Sequence, residues 1–157
     1  MIQHFGIPPR AKKNPTPLDA IIGTILSQNT NDKNSYQAYT NLKDNFSDWN
    51  KLAELTSTKI EKYIRIAGLG KQKSKAIHEL LQSLKKKGKS VSLDYIKTNS
   101  DAEILDELTS YNGIGVKTAS CVLLFSLGRN VCPVDTHVHR ILNRIGLVET
   151  NTPEKTF

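Results

Sequence analysis

The chain has 157 residues, of which 38% are hydrophobic and 24% charged, enough apolar material for one domain with a packed core. No apolar run approaches a membrane span, and the opening MIQHFGIPPRAKK lacks the apolar stretch of a signal peptide, so a cytoplasmic chain with no membrane partner is expected. The two cysteines, Cys121 and Cys132, form no CxxC pair and sit among apolar neighbours; they read as buried thiols, which excludes a disulfide framework. The net charge of +7 is uneven: positions 59–89 hold ten Lys/Arg against Glu61 and Glu79, a local +8, and the remainder sums to −1. A solvated helical face is the plain reading of any lysine run. Collecting the whole positive excess in one segment points further, to a polyanion partner.

The elements read as helices throughout. Thr16 caps and Pro17 starts a helix whose stripe is Leu18, Ile21, Ile22, Ile25 and Leu26. A second helix is expected over 32–45, a short one over 49–55, and another over 57–66 with Ile60, Tyr63, Ile64 and Ala67 on one face. Gly68-Leu69-Gly70 breaks it, and a helix resumes over 74–86 with Ile77, Leu80, Leu81 and Leu84 inward. A helical turn over 93–96 leads to a capped helix over 100–108, acidic in its first turn where the dipole favours it. Helices over 117–127 and 136–145 follow. No useful period-two alternation occurs, so the fold class is all-α.

Two helix–Gly-x-Gly–helix units, at Gly68–Gly70 and Gly113–Gly115, look like a partial internal repeat. Glycines there permit dihedrals that side chains forbid and let a phosphate approach the amides at a helix N-terminus. An ordinary αα turn is the competing reading for either alone. Two residues after the second unit stands Lys117, which would feel the positive helix end; that, with partial burial, would favour the free amine, a nucleophile. A lysine so placed is more often a phosphate contact. Asp135, before Thr136-His137-Val138-His139-Arg140, reads as an N-cap as readily as a functional carboxylate. His137 and His139, two apart, point to nearly opposite sides of a helix, so no metal site is expected; His139 is expected at the surface or facing DNA, and His137 packed or hydrogen-bonded.

Tyr111-Asn112-Gly113-Ile114-Gly115-Val116-Lys117-Thr118-Ala119, followed by Pro133-Val134-Asp135-Thr136-His137, resembles the helix-hairpin-helix (HhH-GPD) DNA glycosylases of the endonuclease III type. Ile25-Leu26-Ser27-Gln28-Asn29-Thr30 is similar to the family's Leu-Ser-x-Gln-x-Thr segment, and Ala67-Gly68-Leu69 to its Gly-Leu loop. The resemblance implies a six-helix barrel over 18–130 with the hairpin motif at about 106–127, and a second lobe built from a strap at 1–17 and helices from 131 onward. It implies base excision repair in duplex DNA carrying damaged bases or abasic sites. The activity implied is an N-glycosylase with abasic-site lyase activity, acting on oxidised pyrimidines through a lysine Schiff base and β-elimination. Lys117 matches the family nucleophile and Asp135 its carboxylate partner. Gln28 matches the residue that fills the gap left by an extruded nucleotide, and Leu69 the apolar wedge opposite. Gly113, Gly115, Thr118 and Lys71 fall to DNA-backbone binding, with His139 beside them.

The family often carries a four-cysteine iron–sulfur cluster; its ligands are absent here, so no cofactor is expected. Thr152-Pro153-Glu154 reads as a cap, an N1 proline and a first-turn acid with barely a turn after them, so the second lobe is expected to be incomplete and the chain cut short. A monomer is expected, associated with the nucleoid if prokaryotic. The alternatives are a non-catalytic hairpin DNA-binding module, a fragment crippled by its missing lobe, and a helical scaffold completed by a partner. Salt-sensitive DNA binding separates the last from the others.

Overall fold

Every described α-helix but two starts on a side chain that caps it. The computed structural model describes residues 14–88 and 90–157; positions 1–13, most of the expected strap, and Lys89 of the basic segment lie outside the described residues. Helix α1 (Pro17–Ser27) starts on Thr16, whose Oγ1 accepts from the Asp19 amide at 3.1 Å, with Pro17 next. Asn31 caps α2 (Asp32–Asn45), Asp48 caps α3 (Trp49–Ala53), and Thr56 caps α4 (Ser57–Ile64). The uncapped helices are α5 (Gly70–Lys87) and, after α6 (Asp101–Thr109), helix α7 (Val116–Phe125). Ser100 and Glu103 close a reciprocal capping box on α6. Asp135 caps α8 (Thr136–Arg144), and Thr152 caps α9 (Pro153–Thr156). Two 3-10 segments, Arg65–Ala67 and Asp94–Thr98, complete the described elements, and none of these is a strand. The expected all-α class is the one found.

The helices expected over 49–55 and 117–127 end at Ala53 and Phe125, and two further boundaries differ for a plain local reason. The helix expected over 57–66 tightens to 3-10 geometry after Ile64. Helix α5 begins at Gly70 rather than at Ser74, because Leu69 turns left-handed (φ +48°) and redirects the chain at once.

Helix α1 is the axis of the core. Its Leu18, Ile21, Ile22, Ile25 and Leu26 are all buried, and α2, α5 and α7 pack around it. Leu42, Ile60, Ile64, Ile77, Leu80, Leu81, Ile104, Leu108, Val122 and Leu123 join them in one continuous cluster. Burying each of these side chains stabilises the fold by about 1.5–3 kcal/mol. Polar ties then orient the layers. Asp19 Oδ1 on α1 accepts from Tyr39 OH of α2 (2.8 Å) and Trp49 Nε1 of α3 (3.1 Å). Helices α8 and α9 bury no residue, and Ile141 of α8 and Ile145 just after it are exposed. No helix among the described residues is long and apolar enough to cross a membrane.

Candidate nucleic-acid interface

The two glycine turns share their spacing but use it in opposite ways. In the first, Leu69 is left-handed and its side chain is 50% exposed at the apex before α5. In the second, the middle residue Ile114 is buried to 4%, which anchors the hairpin and leaves the backbone outward. Gly113 is required twice: its φ is +82°, and a Cβ there would lie 2.9 Å from the Ala76 Cβ on α5. Gly115 is different. Its φ of −93° suits any residue, and a Cβ there would meet nothing within 4 Å. The expectation of special dihedrals at both glycines therefore holds only for Gly113. At Gly115 the missing side chain leaves open space above the uncapped start of α7. The first-turn amides of that helix have no side-chain acceptor among the described residues. Unpaired amides, a positive helix end and no Cβ in front make an anion site that an approaching phosphate backbone can enter.

Lys117 is the second residue of α7 and is exposed, so the partial burial expected to help free its amine is absent. The Lys117 side chain lies against the Cys121 thiol one turn on, and burial pushes that thiol up. Across from it, Asp135 caps α8: its Oδ1 accepts from the amides of Val138 (2.9 Å) and His137 (3.0 Å). The Val138 hydrogen bond, outweighing partial desolvation, holds the carboxyl below the usual aspartate range, helped by the His137 amide and the charges of His137 and Lys117. Asp135 and Lys117 do not form a direct ion pair among the described residues. With Oδ1 engaged in capping, Oδ2 carries no protein hydrogen bond among the described residues. The capping reading of Asp135 is thus correct as geometry, and it leaves one anionic oxygen free.

Gln28 ends α1 and is half-buried, its Nε2 donating to Thr118 Oγ1 at 3.5 Å. That contact places the α1 terminus beside the first turn of α7, next to Lys117. Thr118, expected to bind DNA backbone, turns its side chain inward and is 4% exposed. Lys71 is exposed beside the Leu69 turn. His139 is drawn inward instead of lying at the surface, while His137 makes a hydrogen bond as expected though it is exposed. His139 is half-buried, with Nδ1 2.7 Å from Thr156 Oγ1 and 3.2 Å from Asn143 Nδ2, because α9 folds back over that face of α8. His137 is exposed and meets only the Arg140 guanidinium. Cys121 is buried as expected, whereas Cys132 is exposed in the linker before α8.

The basic segment is only partly available to a polyanion. Lys85 and Lys87 are paired with Glu54 and Glu107, and Lys87 also donates to Tyr111 OH. Lys73 is fully inside, which no periodicity argument anticipated: charge counting treats every lysine as a surface charge. Its position three residues into the apolar face of α5, in register with Ile77 and Leu80, was the available signal. Lys75 pairs with Glu79 as well, whereas Lys59, Lys62, Arg65, Lys71 and Lys86 are exposed without an ion pair among the described residues, on α4, the 3-10 segment and α5.

A family model described as "HhH-GPD superfamily base excision DNA repair protein" matches residues 22–157. A protein of Arabidopsis thaliana that bears the name of a DNA glycosylase is 38% identical over 141 residues, 89% of this chain and 48% of its own length. Endonuclease III of Thermotoga maritima is 36% identical over 148 residues, 94% of this chain and 65% of that protein. The chain therefore spans about half to two thirds of the curated relatives it matches. A solved endonuclease III–DNA complex superposes with a TM-score of 0.78 at 21% identity, over 99% of this chain and 69% of that one, a likeness of fold.

Proposed function

Since the chain belongs to the HhH-GPD superfamily of base excision DNA repair proteins, we propose that it is a DNA N-glycosylase with abasic-site lyase activity on oxidised pyrimidines in duplex DNA. The observation that carries this reading is the pairing at the start of α7. An exposed lysine stands on an open, anion-receptive helix end, close enough to Asp135 for its charge to help keep that carboxyl ionised.

Unprotonated Lys117 Nζ attacks C1′ of the damaged nucleotide, and the electron pair of the C1′–base bond leaves with the base. The carboxylate of Asp135 stabilises positive charge developing on the sugar and is the base proposed to help deprotonate the ammonium. Loss of a proton from nitrogen and opening of the sugar ring leave a C1′–nitrogen imine. Removal of a C2′ proton then expels the 3′ phosphate oxygen, which is the lyase step. A base inside a duplex cannot reach Nζ, so the nucleotide must be turned out of the stack. Gln28 beside α7 and exposed Leu69 at its turn are the side chains proposed to fill and hold the opened step.

The barrel in this reading is 18–130, and 131–157 begins the second lobe. The family's four-thiolate iron–sulfur cluster does not fit this chain: it has two cysteines, one of them buried on α7, and no step is routed through a cluster. A pure DNA-binding module is the competing reading, favoured by the capping role of Asp135. Borohydride trapping of the imine on an abasic duplex separates the two.

A further inference from the structure

Lys73 is 2% exposed, and no carboxylate among the described residues pairs with it. Its Nζ donates instead to two main-chain carbonyls, Leu26 O and Ala67 O, each at 2.8 Å. Leu26 belongs to the last turn of α1, and Ala67 ends the 3-10 segment Arg65–Ala67. Carbonyls at helix ends lack an intrahelical donor and carry the negative pole of the helix, so they are suited to hold a buried ammonium. Burial still works against the charge and lowers the lysine's proton affinity. A helix end that needed only a donor could take it from solvent or a small hydroxyl. A buried cation that joins two helix ends, one of them 47 positions from it in sequence, does something further.

Each of the two carbonyls leads into a strained turn. Three residues after Leu26 comes Asn29 at φ +49°, and two residues after Ala67 comes Leu69 at φ +48°. These are the non-glycine residues of positive φ among the described residues, and side chains adopt that region at a cost that the surroundings must hold. Gln28 lies between Leu26 and Asn29. The ammonium therefore sits directly behind both strained turns, and both turns carry a side chain assigned to the opened base step.

We infer that Lys73 is a positioning residue, whose ammonium clamps the Gln28 turn to the Leu69 turn and so sets the spacing at which the two side chains enter DNA. The inference rests on the reading of Gln28 and Leu69 as void filler and wedge. Lys73 touches no DNA and no reacting atom.

The test uses the full chain and a duplex with a tetrahydrofuran abasic analogue opposite 2-aminopurine, whose fluorescence rises when the estranged base unstacks. Affinity for an intact duplex, measured by anisotropy, reports the hairpin and surface lysines alone. Lys73→Met keeps side-chain volume and removes the donors. The expected result is a fluorescence rise reduced to the level of Leu69→Ala, with intact-duplex affinity equal to wild type. A full rise in Lys73→Met, while Leu69→Ala loses it, overturns the inference and leaves the wedge reading standing. A full rise in Leu69→Ala overturns the wedge reading, and the inference with it. Equal losses of fluorescence rise and intact-duplex affinity make Lys73 a packing residue only, which also overturns it. Should Lys73→Met fail to fold, Lys73→Gln, neutral and shorter, takes its place. An undiminished rise in Lys73→Gln contradicts the inference, and a partial rise at unchanged affinity supports it.

Discussion

A Cβ at Gly113 would lie 2.9 Å from the Cβ of Ala76, so the hairpin is seated directly on α5. Gly113→Ala meets both that contact and a φ of +82°, and it should destabilise the fold by about 1–3 kcal/mol. Gly115→Ala meets no protein atom and should leave the thermal midpoint unchanged. It should nevertheless weaken DNA binding, since its methyl group stands in front of the α7 amides. Thermal melts and anisotropy titrations of both variants check the contrast; equal melting losses would contradict it.

Asp19 is the polar hub of α1, α2 and α3. Burial alone would raise its carboxyl pKa, but hydrogen bonds from Thr16, Tyr39 and Lys43, with the Lys43 charge, bring it below the ordinary aspartate value. A folded pKa below the unfolded one stabilises the fold above the unfolded value of about 4. That contribution is lost as pH falls through the lowered folded value. Asp19→Ala also strands Tyr39 OH and Trp49 Nε1, and should cost about 2–3 kcal/mol at neutral pH. Denaturant melts across the acid range should show a smaller pH dependence in Asp19→Ala than in wild type.

Much of the fold was legible in the residues because the signals are local. Thr16-Pro17, Ser100 with Glu103, and the Leu18–Leu26 stripe each determine a cap or a buried face within one or two turns. The glycine spacing, Lys117 and Asp135 fall within one short stretch of chain, so the candidate site could be proposed from that stretch alone. The features that stayed hidden depend on residues far apart in sequence. The burial of Lys73 needs the carbonyl of Leu26, and the inward turn of His139 needs Thr156 from α9. The left-handed turn at Leu69 is a tertiary choice that the chain's propensities oppose.

The two thiols should react at different rates. Cys132 is exposed, while Cys121 is buried and its thiol is pushed up by that burial. A thiol reagent should label one equivalent at once in the native protein, at Cys132, and the second only on unfolding. Peptide mapping of the labelled chain checks the site.

Capping and chemistry can be separated at Asp135. Asparagine caps a helix about as well as aspartate, so Asp135→Asn should keep the thermal midpoint, and Asp135→Ala should cost about 1 kcal/mol. Both should slow imine formation on an abasic duplex by about a hundredfold, because both remove the carboxylate charge. Asp135→Asn trapping at the wild-type rate would reduce Asp135 to a cap.

The proposed mechanism turns on attack of the Lys117 amine on the sugar. Borohydride trapping on a duplex carrying a single abasic site, with wild type beside Lys117→Gln, tests it most directly. The expected result is a covalent protein–DNA adduct in the wild type that is lost in Lys117→Gln, while both proteins bind the duplex with similar affinity. An adduct that persists in Lys117→Gln, or none in a wild type that binds DNA tightly, would contradict it.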